Sequence, residues 1–305
     1  MSRTGGSSLI TLQAFVDGLT LGGIYAMVAI GFAVIFTTTR MFHFAHGGIY
    51  VFVAFTIAAI AQDSTSLWLV ALPVGIVVSV TLGLASEILV YRPMRRRIGR
   101  SLIGEYGIFV GSLGMLVILD NTVPLVFGYN PYPLVLYGVT PSVHVGQIYV
   151  QTAGVLQFGT ALVMLGAVMA IMRWTQFGRS MRALADNVEM TAIVGVETRR
   201  VYLGAFALGS LLLVPAALLN SVTTGLDSSI GDTMVLIALV AVIVGGVDSV
   251  PGAALGGFLI GIVQSMSLLI LPSMWEQTSA YVLLVVVLLV RPTGILGRRR
   301  LTVGV

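Results

Sequence analysis

Long apolar runs that carry almost no charge constrain this chain more than any other feature of its sequence. Residues 68–90 and 234–247 are the clearest examples. A helix needs about 20 predominantly apolar residues to cross roughly 30 Å of hydrocarbon. Only helices and closed barrels satisfy their own backbone hydrogen bonds inside a bilayer. Barrel strands alternate apolar and polar residues, whereas these runs are apolar on every face. The sequence therefore predicts an all-α polytopic membrane protein.

The composition excludes several classes of protein. Charged residues make up 9% of the 305 residues, against roughly 25% in an ordinary soluble domain. Cysteine is absent, which excludes disulfides, thiolate catalysis and iron–sulfur clusters. Lysine is absent too, because all 16 basic residues are arginine, and an ATP-binding P-loop needs its lysine to reach the phosphates. The N-terminus is short and polar, and we expect no removable signal peptide there.

The apolar stretches and the polar breaks between them predict eight or nine transmembrane helices. The first stretch is long enough to hold a break or a steep tilt. The seventh is short and precedes a glycine-rich turn, which leaves a discontinuous helix as one interpretation. The predicted segments lie near residues 10–38, 46–61, 67–91, 102–126, 149–172, 201–221, 234–247, 253–271 and 276–290.

The distribution of arginine predicts the orientation. Cytoplasmic loops carry an excess of basic residues, and one orientation places 15 of the 16 arginines inside and only Arg3 outside. The numbers of segments between the arginine groups are even, which agrees with this orientation. The N-terminus is then outside and the C-terminus inside. The inside groups are Arg40; Arg92, Arg95, Arg96, Arg97 and Arg100; Arg173, Arg179, Arg182, Arg199 and Arg200; and Arg291, Arg298, Arg299 and Arg300.

This topology predicts a single transmembrane domain over residues 1–305. Its parts are N-terminal helices (9–91), an arginine-rich cytoplasmic loop (92–101), an extracytoplasmic loop (127–148), a cytoplasmic segment (173–200) and C-terminal helices (201–291). The loop over 127–148 is rich in Tyr and Pro, and aromatic residues mark membrane interfaces. We favour an interface belt there over a small extracytoplasmic platform. Asp227 and Asp232 lie in a second outer loop, either solvated or meeting a partner or a cationic solute group.

The cytoplasmic stretch over residues 175–200 is too polar to span a membrane. Asp186 or Asn187 can cap a helix start, and Glu189 suits the positive end of the helix dipole. Gly195 stands where a C′ glycine ends a helix in a left-handed turn. We expect a short amphipathic helix of about two turns over residues 186–195. It is either a docking element for another protein or a loop on the membrane surface.

Six motifs in order along the chain resemble the permease subunits of bacterial ABC importers for branched-chain amino acids and related small solutes (the LivH type). The C-terminal motif is the weakest of the six. They are GLTLGGIYA from Gly18, FAHG from Phe44, YRPMR from Tyr91, the pattern R-A-x-A-D-N…A-x-x-G from Arg182 to Gly195, GGVDSVPGA from Gly245 with the following Gly256 and Gly257, and LVRPTGILG from Leu289.

The resemblance implies an ABC-importer permease fold in a bacterial cytoplasmic (inner) membrane. It implies two permease subunits (a related paralogue or a second copy), two ATPase subunits and an extracytoplasmic solute-binding protein. ATP and Mg²⁺ belong to the ATPase subunits, and this chain needs no cofactor of its own. Branched-chain amino acids, urea, short amides and aromatic or other small carboxylates all fit the pathway that the resemblance implies. The coupling helix of the family falls on residues matching Arg182, Ala183, Asp186, Asn187, Glu189, Ala192 and Gly195.

Two positions depart from the family pattern. The family commonly has Asn where this chain has His43, and an acidic residue where it has Gly48. If these positions touch the solute, a leucine-type specificity is in question.

Polar residues within or near the predicted helices are candidates for a solute pathway. His46 either bonds a neighbouring carbonyl at the start of the second helix, which we favour, or lines a pathway; a metal pair with His43 lacks an evident third ligand. Asp120 and Asn121 lie in an apolar segment, where polar groups mark pathways or paired structural sites. Gly245 and Gly246 allow either close helix packing or a broken helix that presents its ends to solute.

Two other classes of function compete with the ABC permease. A self-sufficient secondary transporter or channel would normally carry ionisable residues deep in the membrane, and few lie convincingly deep here. A membrane-embedded enzyme lacks an inventory of reactive groups, since the chain has three histidines, no cysteine and no dense carboxylate cluster.

Overall fold

The computed structural model describes residues 3–61, 67–98, 102–128, 142–145, 148–227 and 229–297, and the chain is helical over most of these ranges. The α-helices are α1 (Arg3–Thr39), α2 (Ala45–Ala61), α3 (Trp68–Ala85), α4 (Arg92–Ile98), α5 (Leu102–Phe127), α6 (Thr152–Trp174), α7 (Gln176–Asp186), α8 (Val188–Ile193), α9 (Thr198–Leu211), α10 (Leu213–Thr224), α11 (Ile230–Gly245), α12 (Val250–Ser267) and α13 (Glu276–Val290).

Three shorter elements complete the described fold. A π-helical turn over Ser86–Tyr91 joins α3 to α4, and a 3₁₀ turn over Ser273–Trp275 precedes α13. Strands β1 (Val143–Val145) and β2 (Ile148–Val150) form an antiparallel hairpin. The aromatic and proline residues between Tyr129 and Pro141, on which the interface belt was predicted, lie outside the described residues.

The predicted all-α polytopic architecture is confirmed. Within the described ranges, 7 helical stretches are long and apolar enough to cross a membrane. Two shorter apolar helices, Ala45–Ala61 and Ile230–Gly245, fall where the second and seventh segments were expected. The seventh segment is thus a separate helix, α11, which ends at Gly245 and is followed by a turn into α12. The orientation of the termini stays a prediction.

The helix α1 lies at the centre of the bundle, against α6, α9, α11 and α12. Small residues allow this packing, because they let two helix backbones approach closely. A Cβ atom added at Gly22 would lie 2.8 Å from the Cα atom of Phe258 in α12, and one added at Gly18 would lie 2.6 Å from that of Ile262. Ala26, on the same helix as these glycines, is fully buried.

The two ends of the bundle differ in charge. At one end, which we call the arginine-rich end, the end of α1, α4, the end of α6, α7, the start of α9 and the end of α13 carry the arginines. At the opposite end, Gln13 near the start of α1 bonds the backbone of Tyr149 in β2 through both its amide nitrogen (2.8 Å) and its oxygen (2.9 Å).

The third span differs from the expected arrangement. A loop was expected over 92–101, but the helix continues through the π-helical turn to Ile98. Arginine is a good helix former, and no glycine lies between Gly83 and Gly99. The wider turn directly precedes Pro93, whose ring would clash with the carbonyl group four residues earlier in a regular α-helix. Arg92, Arg95, Arg96 and Arg97 therefore project from a helix end. Arg100 lies outside the described residues.

Candidate functional site

The polar segment between α6 and α9 folds into two short helices joined by a cap. The hydroxyl oxygen of Thr175 accepts a hydrogen bond from the backbone N–H of Gly178 (3.0 Å) and caps α7. The side-chain oxygen of Asn187 accepts one from the N–H of Met190 (3.0 Å) and caps α8. After α8, Gly195 adopts the expected left-handed conformation, with φ of 88°. The helix expected over 186–195 is α8, six residues long.

The helix α7 was not predicted from the sequence. The sequence contains a pattern that predicts this helix, because Phe177, Met181 and Leu184 recur at the spacing of one helix face. Met181 and Leu184 are each 1% exposed and belong to the core. The helix α7 therefore packs its apolar face against the bundle and holds α8 in a fixed place at the arginine-rich end.

The helix α8 presents an apolar surface away from the bundle. Met190, Ile193 and Val194 are 62%, 78% and 77% exposed, and we call these three residues the apolar knob. Thr191 on the opposite face is buried. The segment is too short to span a membrane, and these three side chains do not pack in the core. Exposed apolar groups of this kind mark contact sites for other molecules.

The predicted coupling residues fall into two sets. Asn187, Glu189, Ala192 and Gly195 belong to α8 and its two ends, beside the apolar knob. Arg182, Ala183 and Asp186 belong to α7. The side chains of Arg182 and Asp186 line a cavity between α7 and the rest of the bundle instead of joining the knob.

This cavity, which we call the arginine-end cavity, has a volume of about 510 Å³. It is lined by the ends of α1, α6 and α7, the start of α12 and Leu296, and it is open to solvent on one side. Methionine side chains from α6 and α7 form its apolar wall. Its charged lining side chains are Arg40, Arg173, Arg182, Asp186 and Asp248.

Two arginines tie the elements around the cavity together. Arg40, which ends α1 with φ of 58°, forms an ion pair with Asp248 in the turn before α12. It also donates a hydrogen bond to the carbonyl oxygen of Ala185 in α7 (3.1 Å). Arg182 donates one to the carbonyl oxygen of Met172 in α6. The segment that carries the apolar knob is thus bonded to the ends of α1 and α6, and Arg40 links it further to the turn before α12.

Gly245 and Gly246 lie at the arginine-rich end, where α11 stops. The backbone N–H of Ile295 donates to the carbonyl oxygen of Val244 (2.9 Å), and that of Leu296 to Gly245 (2.8 Å). Gly246 has φ of 116°, a conformation that glycine adopts without strain. Both glycines are in close contact with other backbone segments. This arrangement matches the close-packing alternative, and a pathway role for them stays a prediction.

His46 lies in a buried polar cluster where α1 gives way to α2. Its Nε2 atom is 3.3 Å from the carbonyl oxygen of Val28, the kind of carbonyl bond that we favoured. The Nδ1 atom of His43 lies 2.7 Å from the hydroxyl oxygen of Tyr91, which donates to Ser112 (3.1 Å). Among the described residues, no group of three His, Cys, Asp or Glu side chains is suited to hold a metal ion.

Glu87 belongs to the same inner region as this histidine cluster. Its carboxylate forms an ion pair with Arg95 in α4. The guanidinium carbon of Arg95 also lies 4.8 Å from the centre of the Tyr202 ring. The π-helical turn that holds Glu87 and Tyr91 is therefore bonded to His43 in the α1–α2 connection and, by way of Arg95, is linked to α9.

The structure places Asp120 beside a residue from a distant part of the chain. Its carboxyl group lies next to that of Asp232, in the first turn of α11. The Oδ1 atom of Asp120 is buried, with no hydrogen-bond partner among the described residues. Asn121 instead faces outward and donates to the carbonyl oxygen of Val117 (2.8 Å). Of the predicted pair, only Asp120 lies beside a polar side chain of another helix, and that partner, Asp232, is exposed.

Comparisons with known proteins agree with this architecture. Residues 14–290 match the family described as "Branched-chain amino acid transport system / permease component". The chain is 34% identical to the high-affinity branched-chain amino acid transport system permease protein BraD of Pseudomonas aeruginosa, over 94% of this chain and 96% of BraD. It is 33% identical to the corresponding permease protein LivH of Escherichia coli (strain K12), over 95% of this chain and 96% of LivH. No solved structure matches significantly.

These matches span nearly the whole chain, and they agree with the six motifs and the apolar helices. They favour a transport permease over a self-sufficient transporter or an enzyme. The chain therefore belongs to the family of branched-chain amino acid transport system permease components, as a multi-pass protein of the membrane.

Proposed function

We propose that this chain is the permease subunit of a binding-protein-dependent ABC importer that carries a branched-chain amino acid across the bacterial inner membrane. The apolar knob is the observation that carries this proposal. It is the docking point for an ATPase subunit, which hydrolyses ATP with its own Mg²⁺. Exposed apolar residues on a rigidly held helix fit a groove on a partner protein.

The contacts of α7 and α9 explain how docking at the knob acts on the pathway. A displacement of α8 moves α9, which follows it in the chain, and α7, which precedes it. Two contacts transmit this displacement from α7 to the bundle. Arg182 is bonded to α6, and the carbonyl oxygen of Ala185 is bonded to Arg40 at the end of α1. Rigid elements joined in this way can shift together between two arrangements.

The orientation follows from the distribution of arginine. We place the arginine-rich end in the cytoplasm, which puts the N-terminus outside and the C-terminus inside. The opposite end, with the hairpin β1–β2 and Asp227, then faces an extracytoplasmic solute-binding protein. A second permease subunit, related to this chain or identical with it, completes the pathway, and each permease subunit takes one ATPase subunit.

The solute is a branched-chain amino acid, as the names of the relatives state for those proteins. His46 and Asp120 are the pathway candidates that the fold leaves inside the bundle. The two departures from the family pattern lie in packed surroundings. His43 bonds Tyr91, and a Cβ atom at Gly48 would lie 2.6 Å from the Cβ atom of Leu119. Neither departure therefore argues against this solute.

A charge placed on the apolar knob tests the docking. Ile193→Asp should reduce the amount of ATPase subunit that co-purifies with the permease by about tenfold, since a charge at the centre of an apolar contact removes most of its affinity. Gln176→Asp is the matched control. It adds the same charge to the same segment at an exposed helix start, where a carboxylate is favourable, and it should leave co-purification unchanged.

Uptake into proteoliposomes tests the class of transporter. Labelled leucine should accumulate only with binding protein outside and ATP inside. Uptake by the permease alone, with neither nucleotide nor partner chains, would show a self-sufficient transporter and contradict the proposal. Equal loss of ATPase subunit in both variants would place the docking contact elsewhere.

A further inference from the structure

The arginine-end cavity combines charges of both signs with an apolar wall. Arg40 and Arg182 already bond neighbouring groups. Arg173, in the last turn of α6, and Asp186, the last residue of α7, also line the cavity, and neither side chain bonds another group within the described part of the chain. Within the described residues, an unpaired guanidinium group and an unpaired carboxylate, both exposed to solvent, therefore border the same open cavity.

The remaining lining is suited to a short apolar chain. Met169 and Met172 of α6 and Met181 of α7 border the same space. Methionine is flexible and adapts its shape to a bound apolar group. The volume of about 510 Å³ lies in the range of sites that take small ligands, roughly 300–1,000 Å³. The space thus accepts a small molecule with a negative group, a positive group and an apolar side chain.

We propose that the arginine-end cavity binds a free α-amino acid with an apolar side chain from the cytoplasm. This inference rests on the proposed function, because the ligand is then the imported solute itself. Its carboxylate pairs with Arg173, its ammonium group pairs with Asp186, and its side chain lies on the three methionines. Two charge-assisted bonds of opposite sign fix the direction in which such a ligand binds.

Binding at this place acts on the transport cycle. The ligand joins α6 to the end of α7, one residue before the cap of α8. It therefore holds the apolar knob fixed relative to the bundle. If the knob has to move with the ATPase subunit during the cycle, a bound amino acid slows the cycle. The accumulated solute then limits its own import.

A phospholipid with an ethanolamine headgroup offers the same chemistry from a second source. It also carries a negative phosphate, an ammonium group and an apolar part. The free amino acid is the better fit, because a cavity of about 510 Å³ accepts a whole small molecule. A phospholipid with two long acyl chains is too large to enter it as a whole. The experiment separates the two sources.

The test uses the complete transporter in proteoliposomes made of phosphatidylcholine, with binding protein outside and ATP inside. Initial uptake of labelled leucine is compared between vesicles that contain unlabelled leucine at millimolar concentration and vesicles that contain none. Internal leucine should lower the rate severalfold. For each protein, the rate is compared with that protein's own rate in empty vesicles. The internal leucine concentration that halves the rate should be about tenfold higher for Arg173→Gln than for the wild type, because the variant loses one charge-assisted bond to the ligand.

Matched controls identify the site and the chemistry. Arg179→Gln removes an arginine from an exposed position of α7 outside the cavity lining, and should be inhibited like the wild type. Internal leucinol, which lacks the carboxylate, and internal 4-methylpentanoate, which lacks the ammonium group, should both fail to inhibit.

Several results would overturn the proposal. They are uptake that does not depend on internal leucine, equal inhibition of Arg173→Gln and wild type, and inhibition by either analogue as strong as that by leucine. A rate that falls with added phosphatidylethanolamine and not with leucine would assign the cavity to lipid. If empty vesicles show no uptake at all, the proposed function fails. The cavity is then tested separately by thermal unfolding of the purified complex. Leucine should raise the melting temperature of the wild type, and Arg173→Gln should abolish that rise.

Discussion

The guanidinium group of Arg40 forms an ion pair with the carboxylate of Asp248, although the two residues lie 208 positions apart in the chain. The pair joins the end of the central helix α1 to the turn that precedes α12. Arg40 bonds the Ala185 carbonyl oxygen of α7 as well. One arginine therefore connects the bundle with the segment that carries the apolar knob.

This geometry predicts that neutral substitutions at Arg40 and at Asp248 lower the thermal stability by different amounts. Arg40→Gln should lower the thermal stability of the purified chain more than Asp248→Asn does, because it removes both bonds. A double-mutant cycle should give a coupling energy of about 1 kcal/mol, as expected for a partly exposed pair. The pair Arg200–Glu197, which is far more exposed, serves as the control and should show no measurable coupling. Equal coupling in the two cycles would contradict the structural role of Arg40.

Helix packing at Gly261 predicts a large loss of stability on substitution. The backbone of Gly22 in α1 lies directly against this residue of α12, so that any larger side chain forces the helices apart. Gly261→Val should destabilise the folded chain by about 3 kcal/mol, the upper range for an overpacked core. Gly166→Val in α6 is the control, since nothing lies within 4 Å of a Cβ atom there, and its melting temperature should stay unchanged. A similar loss in both variants would disprove the close α1–α12 contact.

Removal of the Tyr91 hydroxyl group should lower the stability of the folded chain. This group bonds both His43 and Ser112 within the buried cluster. Tyr91→Phe leaves two buried polar groups without this partner, which costs about 1–3 kcal/mol, and thermal unfolding measures the loss. Tyr106→Phe alters an exposed ring and should change nothing. An unaltered melting temperature for Tyr91→Phe would show that the cluster does not stabilise the α1–α2 junction.

The absence of cysteine makes the orientation directly testable. Single substitutions Asp227→Cys and Ile193→Cys place one thiol at each end of the bundle, and both positions are exposed. In intact cells, a membrane-impermeant maleimide should label residue 227 at once and residue 193 only after permeabilisation. The opposite pattern would invert the orientation and remove the apolar knob from the reach of a cytoplasmic ATPase.

Local features of the sequence determined the helices and their ends. Partition into lipid depends on the residues of one segment alone, and the apolar runs therefore located the spans. A cap likewise depends on a few neighbouring residues, so Asn187 and Gly195 could be identified before any fold was known. The helix α7 was missed because its apolar face is narrow and its composition is polar.

The tertiary structure alone decided which helices meet. In a membrane protein the outer and inner faces of a helix are both apolar, so hydrophobicity does not identify neighbours. The positions of Asp120 beside Asp232, of His43 beside Tyr91 and of Arg40 beside Asp248 follow from helix packing between distant segments. The cavity between α6 and α7 has the same origin, since its walls come from five separate parts of the chain.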